Sequence, residues 1–345
     1  MTSLRIGRDD AGQRVDRFLR KALPRSSLGN LFRMLRKGVV RVDGRRVEGD
    51  RRLAEGEVVE IRVAEESLRA LEPAGTAATA GPRRPAADAS RVRVLHRDED
   101  VLAVDKPPHL LVQPGDGDSG PTLQDQVLAL VGRGDARTFV PSLAHRLDRD
   151  TSGVVLFGLS ARGLRGLTEA FRARKVEKRY LALVAGSPPE DRFTVDLPLA
   201  RDLSDDTRGA RMKVSRSEDA RSAVTDFAVL ARDDERGFAL IEARPRTGRT
   251  HQIRAHLRAA GFPIVGDPKY GDPRRDPRWR AMTGLRRQFL HAWRVAFAHP
   301  AAPERRVEVE SALPPDLRRA LARAFGGRAP DFAPSAPPGE DGRSC

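Results

Sequence analysis

A chain of 345 residues, 39% of them hydrophobic, is long enough to bury one large core and a smaller second one, so two domains are expected. Its 63 basic residues outnumber 48 acidic ones for a net charge of +15, and only seven of the basic residues are Lys. Guanidinium groups fork onto phosphate and stack on bases, so the surplus suits a nucleic acid better than a small neutral substrate, with an Arg-rich genome composition as the alternative source of the bias.

Cys345 is the only cysteine, which excludes an internal disulfide framework and a cysteine metal site. The first ten residues are too charged for a signal peptide, and no apolar run approaches spanning length, so a cytoplasmic protein with no membrane segment is expected.

Along the chain, Val15, Phe18, Leu19 and Leu23 fall on one helical face from Arg14 to Leu23, and Pro24 stops the pattern. A second helix follows Ser26-Ser27, with Leu28, Leu31, Phe32 and Leu35 at i, i+3, i+4 and i+7, and ends at Gly38. Val39 to Val42, an Asp43-Gly44 turn and Val58 to Val63 read as strands of a small sheet. Residues 1–64 hold 16 Lys and Arg against 9 Asp and Glu, and Arg33, Arg36, Lys37 and Arg41 cluster on the second helix and the loop after it. That cluster reads either as a grip on a phosphate backbone or as a solvated basic face. Residues 73–90 lack any large apolar side chain and lie within an expected flexible linker, 65–91.

Beyond the linker, strands at Val101 to Val104, Val154 to Phe157, Tyr180 to Val184, Phe227 to Ala231 and Phe238 to Ala243 are interleaved with helices at Leu123 to Val131, Ser160 to Arg174 and Gln252 to Ala260. Strands outnumber helices and several follow one another directly. The pattern predicts an α+β fold, a mixed and largely antiparallel sheet with helices packed on it. A last helix around Asp316 to Phe325 precedes Gly326-Gly327 and a Pro-rich tail, so residues 326–345 are expected to be disordered.

No Gly-rich phosphate or dinucleotide loop follows a strand, so no nucleotide cofactor is expected. Gly115 to Gly120 resembles a calcium loop only briefly, since Gly120 stands at the third ligand position and no Glu closes it. His251 and His256 are not at the i, i+4 spacing of a helical zinc pair, and no metal is expected. What remains is His145-Arg-Leu-Asp148-Arg-Asp-Thr-Ser-Gly153, entering the apolar run Val154 to Phe157. Arg146 and Arg149 flank Asp148, and such cations would preserve the negative charge that a nucleophile needs. A surface ion-pair cluster is the alternative. A second polar segment, Arg246-Thr-Gly-Arg-Thr-His-Gln-Ile-Arg254-Ala-His256, could line a pocket for a pyrimidine and its phosphates, or be a helix start with incidental charge.

Together these segments resemble the RluA family of pseudouridine synthases. Val104 to Pro108, His145 to Gly153, Lys178 to Gly186, Thr247 to Arg254, Gly266 to Gly271, Phe289 to Ala292 and His299-Pro300 follow in that family's order, over residues 92–325. Residues 12–64 are similar to the alpha-L (S4-like) RNA-binding domain, which commonly precedes this catalytic domain. The resemblance implies that Asp148 is the catalytic carboxylate, that Tyr180 lies against the uracil ring with its phenol available for proton transfer from C5, and that Arg254, rather than Arg249, pairs with Asp148. It implies no cofactor, and leaves open whether Asp148 attacks the sugar or the base.

A stacked base cannot reach a buried carboxylate, so the target nucleotide should be flipped out. His145, Arg146, Arg149, Arg249 and His251 are candidates to hold that nucleotide and its flanking phosphates; bracing of the loop is the alternative for the first three. The Asp-Arg-Asp form of the signature and the stretch Trp279 to Trp293 look most like members acting on large-subunit (23S) rRNA, with transfer RNA as another substrate for the same core. A non-catalytic RNA-binding or ribosome-assembly protein would fit the charge but has little use for Asp148, Tyr180 and Arg254 together. A monomer is expected.

Overall fold

The computed structural model describes residues 2–63, 88–114, 120–132, 138–202 and 211–327. Most of the expected linker, the loop at 115–119 and the tail from 328 lie outside these residues.

The N-terminal unit consists of β1 (Thr2–Arg5), α1 (Val15–Ala22), α2 (Leu28–Arg36), β2 (Val40–Val42), β3 (Arg45–Arg46) and β4 (Val58–Ile61). Its sheet has the order β1-β4-β2-β3, so the packed unit starts before residue 12, at a strand that the sequence pattern did not mark. The Ser27 hydroxyl accepts from the Asn30 amide and starts α2. Asp43 (φ 48°) and Gly44 (φ 75°) turn β2 into β3 in the left-handed region that a tight hairpin demands. Val15, Phe18, Leu19, Leu31, Val59 and Ile61 form its core.

This unit docks on the larger one through a short segment. Asp9 accepts from the Ala161 amide at 2.8 Å, buried Asp10 accepts from the Thr138 amide at 3.0 Å, and Gln13 donates to the Thr138 hydroxyl at 2.8 Å.

The larger unit runs through β5 (Arg93–Arg97), β6 (Val101–Lys106), α3 (Leu123–Val131), β7 (Ser142–Leu143), β8 (Ser152–Gly158), α4 (Ala161–Arg172) and β9 (Glu177–Ala185). It continues with β10 (Arg192–Asp196), β11 (Leu199–Asp202), β12 (Arg211–Val214), β13 (Val224–Asp233), β14 (Phe238–Pro245), α5 (Gln252–Ala259), α6 (Asp276–Thr283), β15 (Leu290–His299), β16 (Ala302–Glu310) and α7 (Pro315–Phe325). Its main sheet has the order β10-β13-β14-β9-β15-β8-β6-β5, with β16 on β15 and β7 on β8, and β11 pairs with β12 apart from it. Among the described pairings only β8 with β15 is parallel, so the mixed, largely antiparallel sheet expected from the pattern is what forms. No helix among the described residues is long and apolar enough to cross a membrane.

The register at the centre of the sheet determines what meets there. Ala292 of β15 lies opposite Gly153 of β8 on one side and Tyr180 of β9 on the other. The loop that carries Asp148 into β8 and the strand that carries Tyr180 are therefore separated by a single strand. Every residue of β8 is buried, and Val155 and Phe157 pack with Leu147 and Val127 while Val154 and Leu156 pack with Leu167 and Phe297. Burying such side chains contributes about 1.5 to 3 kcal/mol each, which makes this strand a firm base for the loop before it.

Candidate active site

Asp148 is held from beneath. Lys106, the last residue of β6, is fully buried, and its ammonium donates to the carbonyls of Pro107 (2.8 Å), Leu110 (2.9 Å) and Arg149 (2.8 Å). Burial pushes that ammonium down to about 7, while Asp150, Asp148 and Asp105 favour its charged form. From the other side Arg287, buried and paired with Asp316, donates to the Asp150 carbonyl at 3.0 Å. The loop backbone is thus pinned at two consecutive residues, 149 and 150.

The carboxylate meets α5. Arg254 donates through Nη1 to Asp148 Oδ2 at 2.9 Å, and through Nε and Nη2 to the two oxygens of Asp267 at 2.7 and 2.8 Å. Burial opposes both charges of the Arg254–Asp267 pair, yet the two-pronged contact holds the guanidinium above its ordinary range and the Asp267 carboxyl below its own, helped by the Tyr270 and Lys269 amides. The Arg254 guanidinium also lies 5.0 Å from the centre of the Tyr270 ring.

His251 precedes α5 in a left-handed conformation (φ 55°), and its Nε2 stands 3.8 Å from Asp148 Oδ2 while its Nδ1 meets the Tyr270 hydroxyl at 3.1 Å. The Tyr270 oxygen also accepts from the Met212 amide at 2.7 Å, so this hydroxyl joins His251 to β12. Burial lowers His251, in keeping with a neutral ring. Asp148 Oδ2 thus has its neighbours, whereas Oδ1 has no hydrogen-bond partner among the described residues.

Asp148 borders a cavity of about 540 Å³ lined also by His145, Arg146, Tyr180, Arg249, His251 and Arg254 among others. This is room for a nucleotide. Burial, and then the Asp148 charge, push the Tyr180 phenol up, so it keeps its proton at neutral pH. His145 accepts the Leu156 amide on Nε2 and packs against Phe171, its ring centre 4.6 Å away and tilted by 33°, and burial pushes it down to about 3. A neutral, strand-bracing imidazole is what this site holds, not a cation. A carboxylate with one partner-free oxygen, on the wall of a cavity that also carries a phenol and several guanidinium groups, provides a group to attack a sugar or a base together with cations to grip phosphate.

The RNA pseudouridylate synthase family profile matches residues 100–259, the stretch that carries Asp148, Tyr180 and Arg254. Ribosomal large subunit pseudouridine synthase C of Escherichia coli strain K12 is 37% identical over 328 residues, 94% of this chain and 96% of the relative. The protein of the same name from Salmonella typhimurium is 38% identical over 321 residues, 92% of this chain and 94% of the relative. The chain belongs to the pseudouridine synthases. A solved structure, human RNA pseudouridylate synthase domain containing 4, aligns with this synthase at a TM-score of 0.55 and 28% identity over 68% of this chain and 93% of the other. The synthase is accordingly an isomerase.

Of the residues singled out in the sequence, the synthase brings Asp148, Tyr180, Arg254, His145, Arg146, Arg249 and His251 to one cavity. The cation paired with Asp148 is Arg254, and neither flanking arginine takes that part. Arg149 is exposed and absent from the cavity lining, its carbonyl serving the Lys106 brace. Arg33, Arg36 and Lys37 are exposed on the N-terminal unit, whereas Arg41 is half-buried and donates to the Gly44 carbonyl at 2.9 Å. Sequence reasoning missed Asp267 and Tyr270. Both stand in the Gly266 to Gly271 motif, but nothing local signals that the first would fork onto Arg254. It also missed Arg174 and Lys178, two further cations of the cavity wall.

Proposed function

We propose that this synthase converts uridines of large-subunit (23S) ribosomal RNA into pseudouridine, with Asp148 as the nucleophile toward an extruded nucleotide. The observation that carries the reading is the Asp148 carboxylate, tied through Oδ2 to Arg254, with Oδ1 lacking a hydrogen-bond partner among the described residues at the wall of the Tyr180 cavity. Nearly full-length similarity to relatives named for the ribosomal large subunit supports the target, and the net charge of +15 supports an RNA partner.

Uridine and pseudouridine contain the same atoms. The C1′–N1 bond breaks, a C1′–C5 bond forms, C5 loses its hydrogen and N1 gains one. Water takes no part, so the second carboxylate of a glycoside hydrolase has no counterpart to fill. Asp148 Oδ1 acts on the sugar or on the base ring, and either route needs it anionic and aimed, which is the work of Arg254. Tyr180 lies against the uracil and acts late as a relay: once the new bond has made C5 tetrahedral, its phenol, protonated at rest, passes its own proton on toward N1 and takes the C5 proton in its place, so that it ends as it began.

The N-terminal unit is read as an alpha-L RNA-binding domain, because α2 presents Arg33, Arg36 and Lys37 to solvent beside the exposed ring of Phe32. The reaction neither gains nor loses an atom and the groups proposed for it belong to one chain, which supports reading the synthase as a cytoplasmic monomer that needs no cofactor.

Asp148→Asn is expected to keep RNA binding and lose pseudouridine formation, read by chemical mapping of an unmodified large-subunit transcript. Measurable turnover by that variant removes the nucleophile. Mapping total RNA from cells with and without the protein tests the target, and modification confined to transfer RNA would overturn it.

A further inference from the structure

One side of the cavity holds two cations that the reading above does not use. Arg172, Arg174 and Lys178 line it where α4 ends and β9 begins. Arg172 is paired with Glu169, and across the cavity Arg246 is paired with Asp226. Arg174 and Lys178 make no ion pair among the described residues, and the Lys178 ammonium has one long hydrogen bond, to the Thr247 carbonyl at 3.3 Å.

The backbone at Arg174 is the second observation. It takes φ 59°, with its amide donating to Phe171 O and that of Lys175 donating to Ala170 O, the closure that ends a helix through a left-handed residue. Glycine is the default there, since a Cβ is strained in that conformation. Four other helices among the described residues end through such a residue, and all four use glycine: Gly38 (φ 67°), Gly261 (φ 88°), Gly284 (φ 73°) and Gly326 (φ 59°). An arginine at the strained position of α4 implies that its side chain is needed where it points. Lys178 stands two residues before Tyr180 on β9, so both face the cavity. Burial, and then the Arg174 guanidinium, lower the Lys178 ammonium to about 8. Two adjacent cations, one of them largely out of water, lack an anion between them.

We propose that Arg174 and Lys178 form a phosphate subsite that grips the RNA backbone next to the nucleotide presented to Asp148. This rests on the RNA reading above and adds the place where the strand is held. A phosphodiester fits because Arg174 and Lys178 line the cavity from the end of α4 and the start of β9 while Asp148 lines it from the loop before β8, and because a guanidinium and an ammonium together match its two free oxygens.

The test uses the full chain and an unmodified large-subunit rRNA transcript, with Kd measured by filter binding at several salt concentrations. Arg174→Gly and Lys178→Gln are each expected to weaken binding about tenfold and to make the dependence of log Kd on log salt shallower by about 0.7 to 0.9, one phosphate contact. Arg174→Gly is also expected to raise the melting temperature by about 2 °C, because strain is relieved. A structural role for Arg174 would not raise stability and weaken binding together. Kd and salt slope at wild-type values in Arg174→Gly overturn the proposal, as does a loss of turnover at saturating RNA with binding untouched. Should the rRNA reading itself fail, the wild-type protein forms no pseudouridine in the transcript while these binding differences persist.

Discussion

Arg254 divides its guanidinium between two carboxylates of unequal burial, and the division separates folding from chemistry. The Asp267 side chain is 0% exposed and that of Arg254 5%, whereas Asp148 is 24% exposed. Removing one member of a buried pair leaves an uncompensated charge at a cost of about 3 to 5 kcal/mol. Arg254→Met and Asp267→Asn should therefore lower stability by about that much, whereas Asp148→Asn, which leaves the Arg254–Asp267 fork whole, should stay within about 1 kcal/mol of wild type. Urea unfolding of the three variants checks this. A loss for Asp148→Asn as large as for Arg254→Met would make Asp148 a structural residue. At this scale the sequence was a good guide to the reacting groups, because a run such as His145 to Gly153 compresses several polar side chains into a few residues. It was a poor guide to what orients them. Asp267, Tyr270 and Lys106 owe their roles to neighbours supplied by other elements.

At the scale of elements, the parallel contact between β8 and β15 delivers the Asp148 loop to its place, and Gly153 permits it. Gly153 sits at φ 118°, and a Cβ added there would lie 2.1 Å from the Ala292 carbonyl oxygen. That atom is backbone in the strand which also pairs with β9 at Tyr180, so it cannot yield as a long side chain would. Gly153→Ala must then part β8 from β15 or shift the loop, at a cost of about 3 kcal/mol or more from strain and overpacking. Both melting temperature and pseudouridine formation are expected to fall, and a variant with wild-type values of both would contradict the close approach. None of this pairing could be read in advance, because residues 152 and 291 are joined only by the fold. Helix α3 is the opposite case. Its start at Leu123 was legible because Thr122 and Asp125 form a reciprocal cap within four residues of chain. Strand β16 went unmarked because Val307 and Val309 are its only buried residues amid charges, the look of an edge that earns a face only by pairing with β15.

Across the whole molecule, charge suited a nucleic acid and length suited two units, while the docking of one on the other through Asp9, Asp10 and Gln13 gave no sign in the sequence. A second global property follows from the buried imidazoles. Burial lowers His291 to about 4 and His145 to about 3, and lowers His251 and His256 as well. Each ring is already engaged in its neutral form; His291, for instance, meets the Ser152 hydroxyl and the Ser311 carbonyl, both at 3.0 Å. An unfolded chain takes up protons on these rings near their ordinary value of 6.5, and the folded chain does not until its lower values are reached. For His291 and His145 stability is therefore complete well above pH 6.5 and falls as pH drops from that value toward 4, by up to about 1.4 kcal/mol per pH unit for each of these two rings, and the lowering of His251 and His256 acts in the same direction. The carboxylates held low, Asp98, Asp267 and Asp316, have an ordinary value of 3.8 and add their loss only below this window. Urea unfolding between pH 7 and 4.5 should show the decline. In His291→Asn the curve should be flatter by the contribution of one proton, about 1.4 kcal/mol per pH unit, whatever that substitution does to absolute stability. A slope identical to wild type would mean that His291 takes up its proton inside the folded protein, and the neutral, doubly bonded ring beneath the Asp148 loop would have to be abandoned.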